Sequence, residues 1–143
     1  MPTINRSALV AFTPKQMFDI VNDVDNYVEF LPWCGASEEI DREGDSVKAS
    51  VTIAKGPVHK TFVTQNKLEE NKVIEMQLVD GPFKYLKGAW RFDDLKGQAC
   101  KISLDLDFEF TNGLVSLALG PVFNQIANSM VDAFVERAKN IYV

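Results

Sequence analysis

The last thirty residues of the chain carry apolar side chains at helical spacing. Steps of mostly three and four residues relate Val115, Leu119, Phe123, Ile126, Ala127, Met130, Phe134, Ala138 and Ile141. This spacing places the side chains along one side of a helix. A helix from Leu114 to Val143 would be roughly 40 Å long at about 1.5 Å per residue. Pro121 lies within the pattern and predicts a kink or a break, because proline lacks the N–H of a helical hydrogen bond.

The middle of the chain, from residue 35 to residue 110, has a period of two instead. Its clearest segment, Cys100 to Phe110, alternates six apolar side chains with five polar ones. This alternation is typical of an antiparallel strand with one face in water. Turn sequences rich in glycine, proline and charged residues divide the region into about six strands in hairpin succession. A bent antiparallel sheet would give the long helix the apolar surface that it needs.

The start of the chain predicts a first strand and two short helices. The strand covers Thr3 to Phe12, and Thr13 and Gln16 then have the spacing of a capping box. A short helix would turn Met17, Phe18, Ile20 and Val21 inward, and a second would carry Tyr27, Val28, Phe30 and Leu31. The predicted fold is therefore α+β: a curved antiparallel sheet of about seven strands around a long C-terminal helix, with two short helices after the first strand. We expect residues 1–143 to form one domain.

Composition and charge exclude several classes of function. The chain is 46% hydrophobic and 24% charged, which is ordinary for a globular protein. No apolar run approaches the ~20 residues of a membrane span, and the N-terminus lacks the apolar segment of a secretory signal, so a cytoplasmic location is expected. The net charge of −5 argues against general nucleic-acid binding. Cys34 and Cys100 are isolated and the chain has one histidine, so we expect two packed thiols and no metal site or cofactor.

A bent sheet that grips a helix cannot close at both ends, and it therefore predicts an apolar cavity. The side chains expected to line it have inward parity on the strands or lie on the helical stripe: Val51, Ile53, Phe62, Met76, Leu78, Trp90, Leu104, Leu106, Phe123, Ile126, Met130 and Phe134. The predicted entrance consists of Leu31, Trp33, Phe83 and Leu86. Trp33 follows a proline in a loop, where a tryptophan is either a half-buried lid or a contact point for a partner or membrane.

Four ordered segments of the sequence resemble one known family. Residues 21–34, from Val-Asn-Asp-Val to Pro-Trp-Cys, and residues 79–92, from Val-Asp-Gly-Pro to Trp-Arg-Phe, resemble two blocks of the START-like coenzyme Q-binding family. Residues 106–112 and 133–138 resemble its last strand and final helix. The family lies in the polyketide cyclase-like (SRPBCC) superfamily. The resemblance covers nearly the whole chain and implies a START-like, helix-grip fold.

The resemblance implies two functions that differ in kind. Mitochondrial members of the family bind ubiquinone and support respiratory electron transport without catalysis. This chain is also similar to short bacterial members described as ribosome-association toxins, or persistence and stress-resistance toxins. These are toxins of a type II toxin–antitoxin pair with a small ubiquitin-like antitoxin. They bind the large (50S) ribosomal subunit, block 70S assembly and so inhibit translation initiation.

The sequence favours a non-enzymatic protein that binds a hydrophobic ligand, with a polyprenyl quinone as the first interpretation. Ribosome association is the alternative, and a polyketide cyclase-like enzyme is a third. We identify no catalytic residue: His59 falls on the outward parity of its strand. The carboxylates of Asp105, Asp107 and Glu109 alternate on a wet face, where they would meet lysines of a neighbouring strand or water.

The two binding functions require different surfaces. Contact with the ribosome would use Lys84, Lys87 and Arg91, extended by Lys55, His59 and Lys60. In this prediction Lys84 has inward parity, whereas Lys87 and Arg91 point outward. A quinone carrier must instead visit a bilayer, and transient docking on the inner membrane would use Trp33 with Leu31, and Phe83 with the two lysines that follow it.

Overall fold

The computed structural model describes residues 3–142 and confirms the predicted arrangement of a seven-stranded sheet and a long C-terminal helix. In chain order the elements are β1 (Thr3–Val10), α1 (Pro14–Asn22), a 3₁₀ turn (Val24–Asn26), α2 (Tyr27–Phe30), β2 (Cys34–Glu43), β3 (Ser46–Lys55), β4 (Val58–Glu69), β5 (Val73–Asp80), β6 (Phe83–Lys96), β7 (Ala99–Phe110) and α3 (Gly113–Ile141).

All neighbouring strands of the sheet are antiparallel. Their spatial order is β1-β7-β6-β5-β4-β3-β2, so only β1 leaves the hairpin succession to pair with the last strand. Along β1, Ile4 lies opposite Leu106 and Val10 opposite Cys100. The long helix α3 contacts β1, β7 and β4, and α1 packs against its other side and against β6 and β7. The helices therefore cover one face of the sheet, and the core lies between them.

The alternation along β7 identifies the core face, as predicted. All six apolar positions of the strand are buried: Cys100, Ile102, Leu104, Leu106, Phe108 and Phe110. The polar positions between them are exposed or half-buried. Since one face of an antiparallel sheet commonly packs on the core while the other is solvated, this single strand fixes the orientation of its neighbours.

The N-terminal helix begins with the predicted capping box. The backbone N–H of Gln16 donates to Thr13 Oγ1 at 3.1 Å, and the backbone N–H of Thr13 donates to Gln16 Oε1 at 2.8 Å. Four apolar residues of α1 are buried, also as predicted: Met17, Phe18, Ile20 and Val21. The second short helix, α2, carries Tyr27, Val28 and Phe30 as predicted, and Val28 is 46% exposed. With only one turn, α2 has room to bury a narrow stripe, which Tyr27 occupies.

Helix α3 runs without a break through Pro121, contrary to one of the two predicted outcomes. Pro121 is exposed, so the carbonyl that loses its helical partner lies on the solvent side of the helix, where water can replace the bond. Ile141, at the end of the predicted stripe, is 47% exposed because the helix ends beyond the sheet.

The prediction that no apolar segment approaches membrane-span length needs a correction in α3. By length and composition alone this helix could cross a membrane, and a third of its most apolar window is buried inside the fold. The buried side chains of α3 pack on the sheet, as in the core helix of many globular proteins: Leu119, Phe123, Ile126, Ala127, Val131, Phe134 and Ala138.

Gly88 allows β6 and β7 to approach at the centre of the sheet. A Cβ atom at this position would lie 2.2 Å from the backbone oxygen of Asp105 and 3.0 Å from the Cα atom of Leu106. We expect Gly88→Ala to lower the free energy of unfolding by about 1–3 kcal/mol, because backbone must move to admit the methyl group. Gly113→Ala is the control, since nothing lies within 4 Å of its Cβ position. Urea denaturation of both variants would test this, and equal stability of the two would contradict it.

Candidate ligand cavity and the basic surface

Two aromatic clusters hold α3 against the sheet. In the first, the ring centroid of Phe123 lies 4.8 Å from that of Phe108 and 5.1 Å from that of Phe83. In the second, the ring of Phe134 lies 5.1 Å from Trp90 and 5.3 Å from Tyr27. Phe134 follows Phe123 by eleven residue steps, which correspond to ~16 Å of helix at about 1.5 Å per residue. The helix is therefore fixed at two separated points.

A cavity of about 90 Å³ lies between the two clusters. Its walls are Val24, Tyr27, Trp33, Ala49, Val51, Ile53, Phe62, Thr64, Asn66, Met76, Leu86, Trp90, Leu104, Leu106, Phe123, Ile126, Ala127 and Met130. Two of these, Ala49 on the sheet and Ala127 on α3, are small side chains that are almost fully buried. The aromatic rings on either side hold the helix away from the sheet, and the two alanines do not fill the space that results.

Ten of the twelve predicted wall residues line this cavity: Val51, Ile53, Phe62, Met76, Trp90, Leu104, Leu106, Phe123, Ile126 and Met130. The other two do not. Leu78 is half-buried and packs against the core near the end of β5. Phe134 has the correct orientation, but its ring is fully buried within the second aromatic cluster. Whether the ten residues contact a ligand stays a prediction.

The predicted entrance is only partly correct. Trp33 and Leu86 line the cavity. Trp33 is only 7% exposed, so it serves as a wall and is not an exposed contact point. Leu31 is 1% exposed because its backbone N–H continues the hydrogen bonding of α2 and holds the side chain inside. Phe83 is not among the lining residues: its ring is stacked on Phe110 with the centroids 5.1 Å apart, and it packs against the wall residue Phe123.

The sequence analysis missed the polar groups of the cavity wall. Thr64 and Asn66 are buried, and Thr64 Oγ1 donates a hydrogen bond of 2.9 Å to Asn66 Oδ1. The amide N–H groups of Asn66 are the donors that this side chain still offers. The phenol of Tyr27 donates to the backbone oxygen of Val21, and burial raises the pKa of Tyr27. The signal was available, because residues 64 and 66 share the inward parity of Phe62.

The two cysteines are free and buried, as predicted. Burial raises the pKa of Cys34, and it raises the pKa of Cys100 to about 11. Both side chains are therefore neutral thiols near pH 7, which are poor nucleophiles and poor metal ligands. Within residues 3–142, no three side chains of histidine, cysteine, aspartate or glutamate come together as a metal-binding group.

The predicted ribosome contact is largely neutralised by carboxylates of the neighbouring strand. Lys84 Nζ lies 3.1 Å from Glu109 Oε2, and Arg91 Nη1 lies 2.7 Å from Asp105 Oδ2. Lys87 faces Asp107 across the same strand pair. The prediction that the carboxylate row faces cations of a neighbouring strand is confirmed.

The inward placement of Lys84 was wrong. Between Phe83 and Tyr85 the pairing of β6 with β7 shifts register, and the side chain of Lys84 is 62% exposed. An irregularity of this kind adds one residue to a strand and reverses the parity beyond it. The alternation of apolar and polar residues in β6 does not show where this register shift occurs.

The fold and cavity define a helix-grip protein of the START-like class. The chain belongs to the polyketide cyclase/dehydrase and lipid transport family, whose sequence profile matches residues 10–135.

Among its relatives, ribosome association toxin RatA of Escherichia coli K12 is 48% identical over 142 residues, which are 99% of this chain and 90% of the relative. Coenzyme Q-binding protein COQ10 homolog B of Xenopus laevis is 30% identical over 96% of this chain and 58% of the relative.

Two solved structures illustrate the shared fold. A START superfamily protein from Mycobacterium smegmatis matches with a TM-score of 0.78 at 18% identity, covering 97% of this chain and 98% of its own. The ZhuI aromatase/cyclase from Streptomyces sp. R1128 matches with a TM-score of 0.85 at 15% identity, covering 99% and 96%. At these identities the likeness concerns the fold alone, and it confirms the predicted helix-grip architecture.

The hydrogen bond between Thr64 and Asn66 provides a test of the polar part of the cavity wall. We expect Thr64→Val to lower the free energy of unfolding by about 1–3 kcal/mol, because it leaves a buried amide oxygen without a donor. Exposed Thr111 is the control position, where the same change should alter stability by less than ~0.5 kcal/mol. Thermal unfolding measures both. A Thr64→Val, Asn66→Leu double variant should recover part of the loss, and no recovery would contradict this account.

Proposed function

We propose that this protein associates with the large ribosomal subunit and blocks its joining to the small subunit. The observation that carries this proposal is the 48% identity to ribosome association toxin RatA, which extends over 99% of the chain. An alignment of this extent includes both aromatic clusters, the cavity wall and every strand. The proposed small ubiquitin-like antitoxin rests on the family resemblance alone, and the cytoplasmic location stays an expectation from the sequence.

The small size of the cavity favours the ribosome proposal over the binding of a polyprenyl quinone. Small-molecule sites commonly measure ~300–1,000 Å³, whereas the cavity here measures about 90 Å³. A polyprenyl tail would not fit in a cavity of this size unless the surrounding elements moved apart. A surface function on the ribosome requires no such opening.

The second candidate function is binding of a small apolar ring such as the head of a quinone. The apolar wall, the resemblance to the coenzyme Q-binding family and the donors of Asn66 favour it. A quinone carbonyl could accept a hydrogen bond from this amide, which is the polar group that orients a ligand in a mostly apolar site. Transient contact with the inner membrane belongs to this second proposal.

A cyclase reaction is not proposed. Every described residue that lines the cavity is neutral, and none is an aspartate, glutamate, histidine, lysine or arginine. Tyr27 is the most acidic side chain of the wall, and its raised pKa keeps it protonated near pH 7. The wall thus offers no general base of the kind that proton abstraction from a substrate requires.

The ribosome proposal predicts a change in subunit distribution. Purified protein added to dissociated subunits under conditions that favour joining should co-sediment with the large subunit in a sucrose gradient and should reduce the 70S peak. Ala127→Leu fills the cavity without changing the surface, so this variant should act like the wild type. An unchanged 70S peak with the wild-type protein would contradict the proposal.

The quinone proposal predicts quenching of tryptophan fluorescence. The chain has two tryptophans, Trp33 and Trp90, and both line the cavity. A short-chain ubiquinone analogue should therefore quench most of the emission of the wild-type protein. Ala127→Leu should weaken this binding at least ~10-fold, because the added side chain takes up the space of the ring. The control is Ala118→Leu, at an exposed position of the same helix. Equal quenching in both variants would place the quinone outside the cavity.

A further inference from the structure

Positive charge is concentrated in the β3–β4 hairpin. Residues 46–68 contain four lysines, the single histidine and no aspartate or glutamate. The whole chain has a net charge of −5, so the remainder of the chain carries −9. An acidic protein therefore presents one segment with the opposite sign. Charge segregation of this kind is what a protein of negative net charge needs in order to approach a polyanion.

The end of this hairpin projects beyond its neighbours. On one side β2 begins at Cys34, opposite Ile53, and on the other side β5 ends at Asp80, opposite Val63. We define the basic tip as Lys55, His59 and Lys60, all of which are exposed. Lys55 and His59 lie past both of these points, and Lys60, which pairs with Ile53, lies past the end of β5. No ion pair within residues 3–142 includes a residue of the basic tip. Its two lysines thus differ from Lys84 and Arg91, which already face carboxylates.

The basic tip adjoins an uncharged part of α3. Lys55 Nζ donates to Gln125 Oε1 at 2.9 Å. One turn before Gln125 is the exposed Pro121, and a further turn leads to Leu117, which is 79% exposed, and then to Leu114, which is 80% exposed. No charged residue occurs between Thr111 and Val131. We name the exposed residues Leu114, Leu117 and Pro121 the uncharged face of α3.

From this arrangement we propose that the basic tip, flanked by the uncharged face of α3, is the surface that binds ribosomal RNA. The inference rests on the proposed function and specifies its contact. Lysines that are free of carboxylate partners can neutralise phosphates and release their counterions. The uncharged face adds no carboxylate to repel the RNA backbone, and its leucines offer apolar area for burial. The β6 row of Lys84, Lys87 and Arg91 is left out of the contact.

A bilayer is the other anionic surface that could attract lysines. Helices that lie in a membrane interface carry lysine or arginine along the polar face and tryptophan, phenylalanine or leucine on the apolar face. The exposed segment of α3 before Gln125 has two such leucines, Leu114 and Leu117, but it has no lysine or arginine and no exposed tryptophan or phenylalanine. The observations therefore favour RNA over lipid.

Matched charge reversals test the surface. Lys55→Glu with Lys60→Glu should weaken co-sedimentation with purified 50S subunits at least ~10-fold, and it should reduce the salt dependence of binding by a slope of ~1.4–1.8, the contribution of about two phosphate contacts. Lys84→Glu with Lys87→Glu makes the same change in net charge on β6, where Lys84 is paired with Glu109 and Lys87 lies opposite Asp107, and it should retain binding within ~3-fold. Circular dichroism checks that each variant is folded, and the milder Lys55→Gln, Lys60→Gln variant replaces the first if it is not.

The outcomes separate this inference from the proposed function. A wild-type protein that does not bind 50S subunits would overturn the proposed function. Wild-type binding that the tip variants retain, or that the Lys84 and Lys87 variant loses equally, would overturn the assignment of the surface. Flotation with vesicles of phosphatidylethanolamine and phosphatidylglycerol is the third arm. If the tip variants lose vesicle binding and keep ribosome binding, the basic tip is a lipid contact.

Discussion

The packing of two phenylalanines of α3 against the concave face of the sheet is the interaction on which the rest of the structure depends. Phe123 and Phe134 each meet several other rings at centroid distances between 4.8 and 6.4 Å, mostly edge to face. Aromatic side chains bury ~150–250 Å² each and prefer this geometry. The two clusters fix the distance between helix and sheet, and this distance produces the cavity between them.

Much of this fold could be predicted because periodicity reports burial directly. The alternation of β7, the capping box at Thr13 and the apolar stripe of α3 each express a local rule that tertiary contacts reinforce. The errors fall where local sequence does not determine the backbone. Lys84 follows a register shift that depends on pairing with β7. Such positions are decided by neighbours that are distant in the chain.

The residues that line the cavity could be predicted from the sequence, but the volume of the cavity could not. Parity identifies which residues face inward, and this sufficed for ten of the twelve candidates. The volume of the cavity depends on side-chain packing at separate positions. Large side chains at one position keep the helix and the sheet apart, and small side chains at another position leave the space between them unfilled. Phe134 was assigned to the wall, although it acts as a spacer that supports the wall. Ala49 and Ala127, whose small side chains leave the space, were not assigned to the wall. Thr64 and Asn66 share the inward parity of Phe62, but polar side chains are not expected in an apolar wall.

The β3–β4 hairpin brings the interior and the surface together in one element. Within the sheet, its inward side chains Val51, Ile53 and Phe62 form part of the cavity wall. Beyond the sheet, the same two strands end in Lys55, His59 and Lys60, where no neighbouring strand supplies a carboxylate. Because cavity and basic tip use different residues, either can change without loss of the other. A family with this hairpin can therefore contain proteins that bind an apolar ligand and proteins that bind a charged macromolecule, without a change of fold.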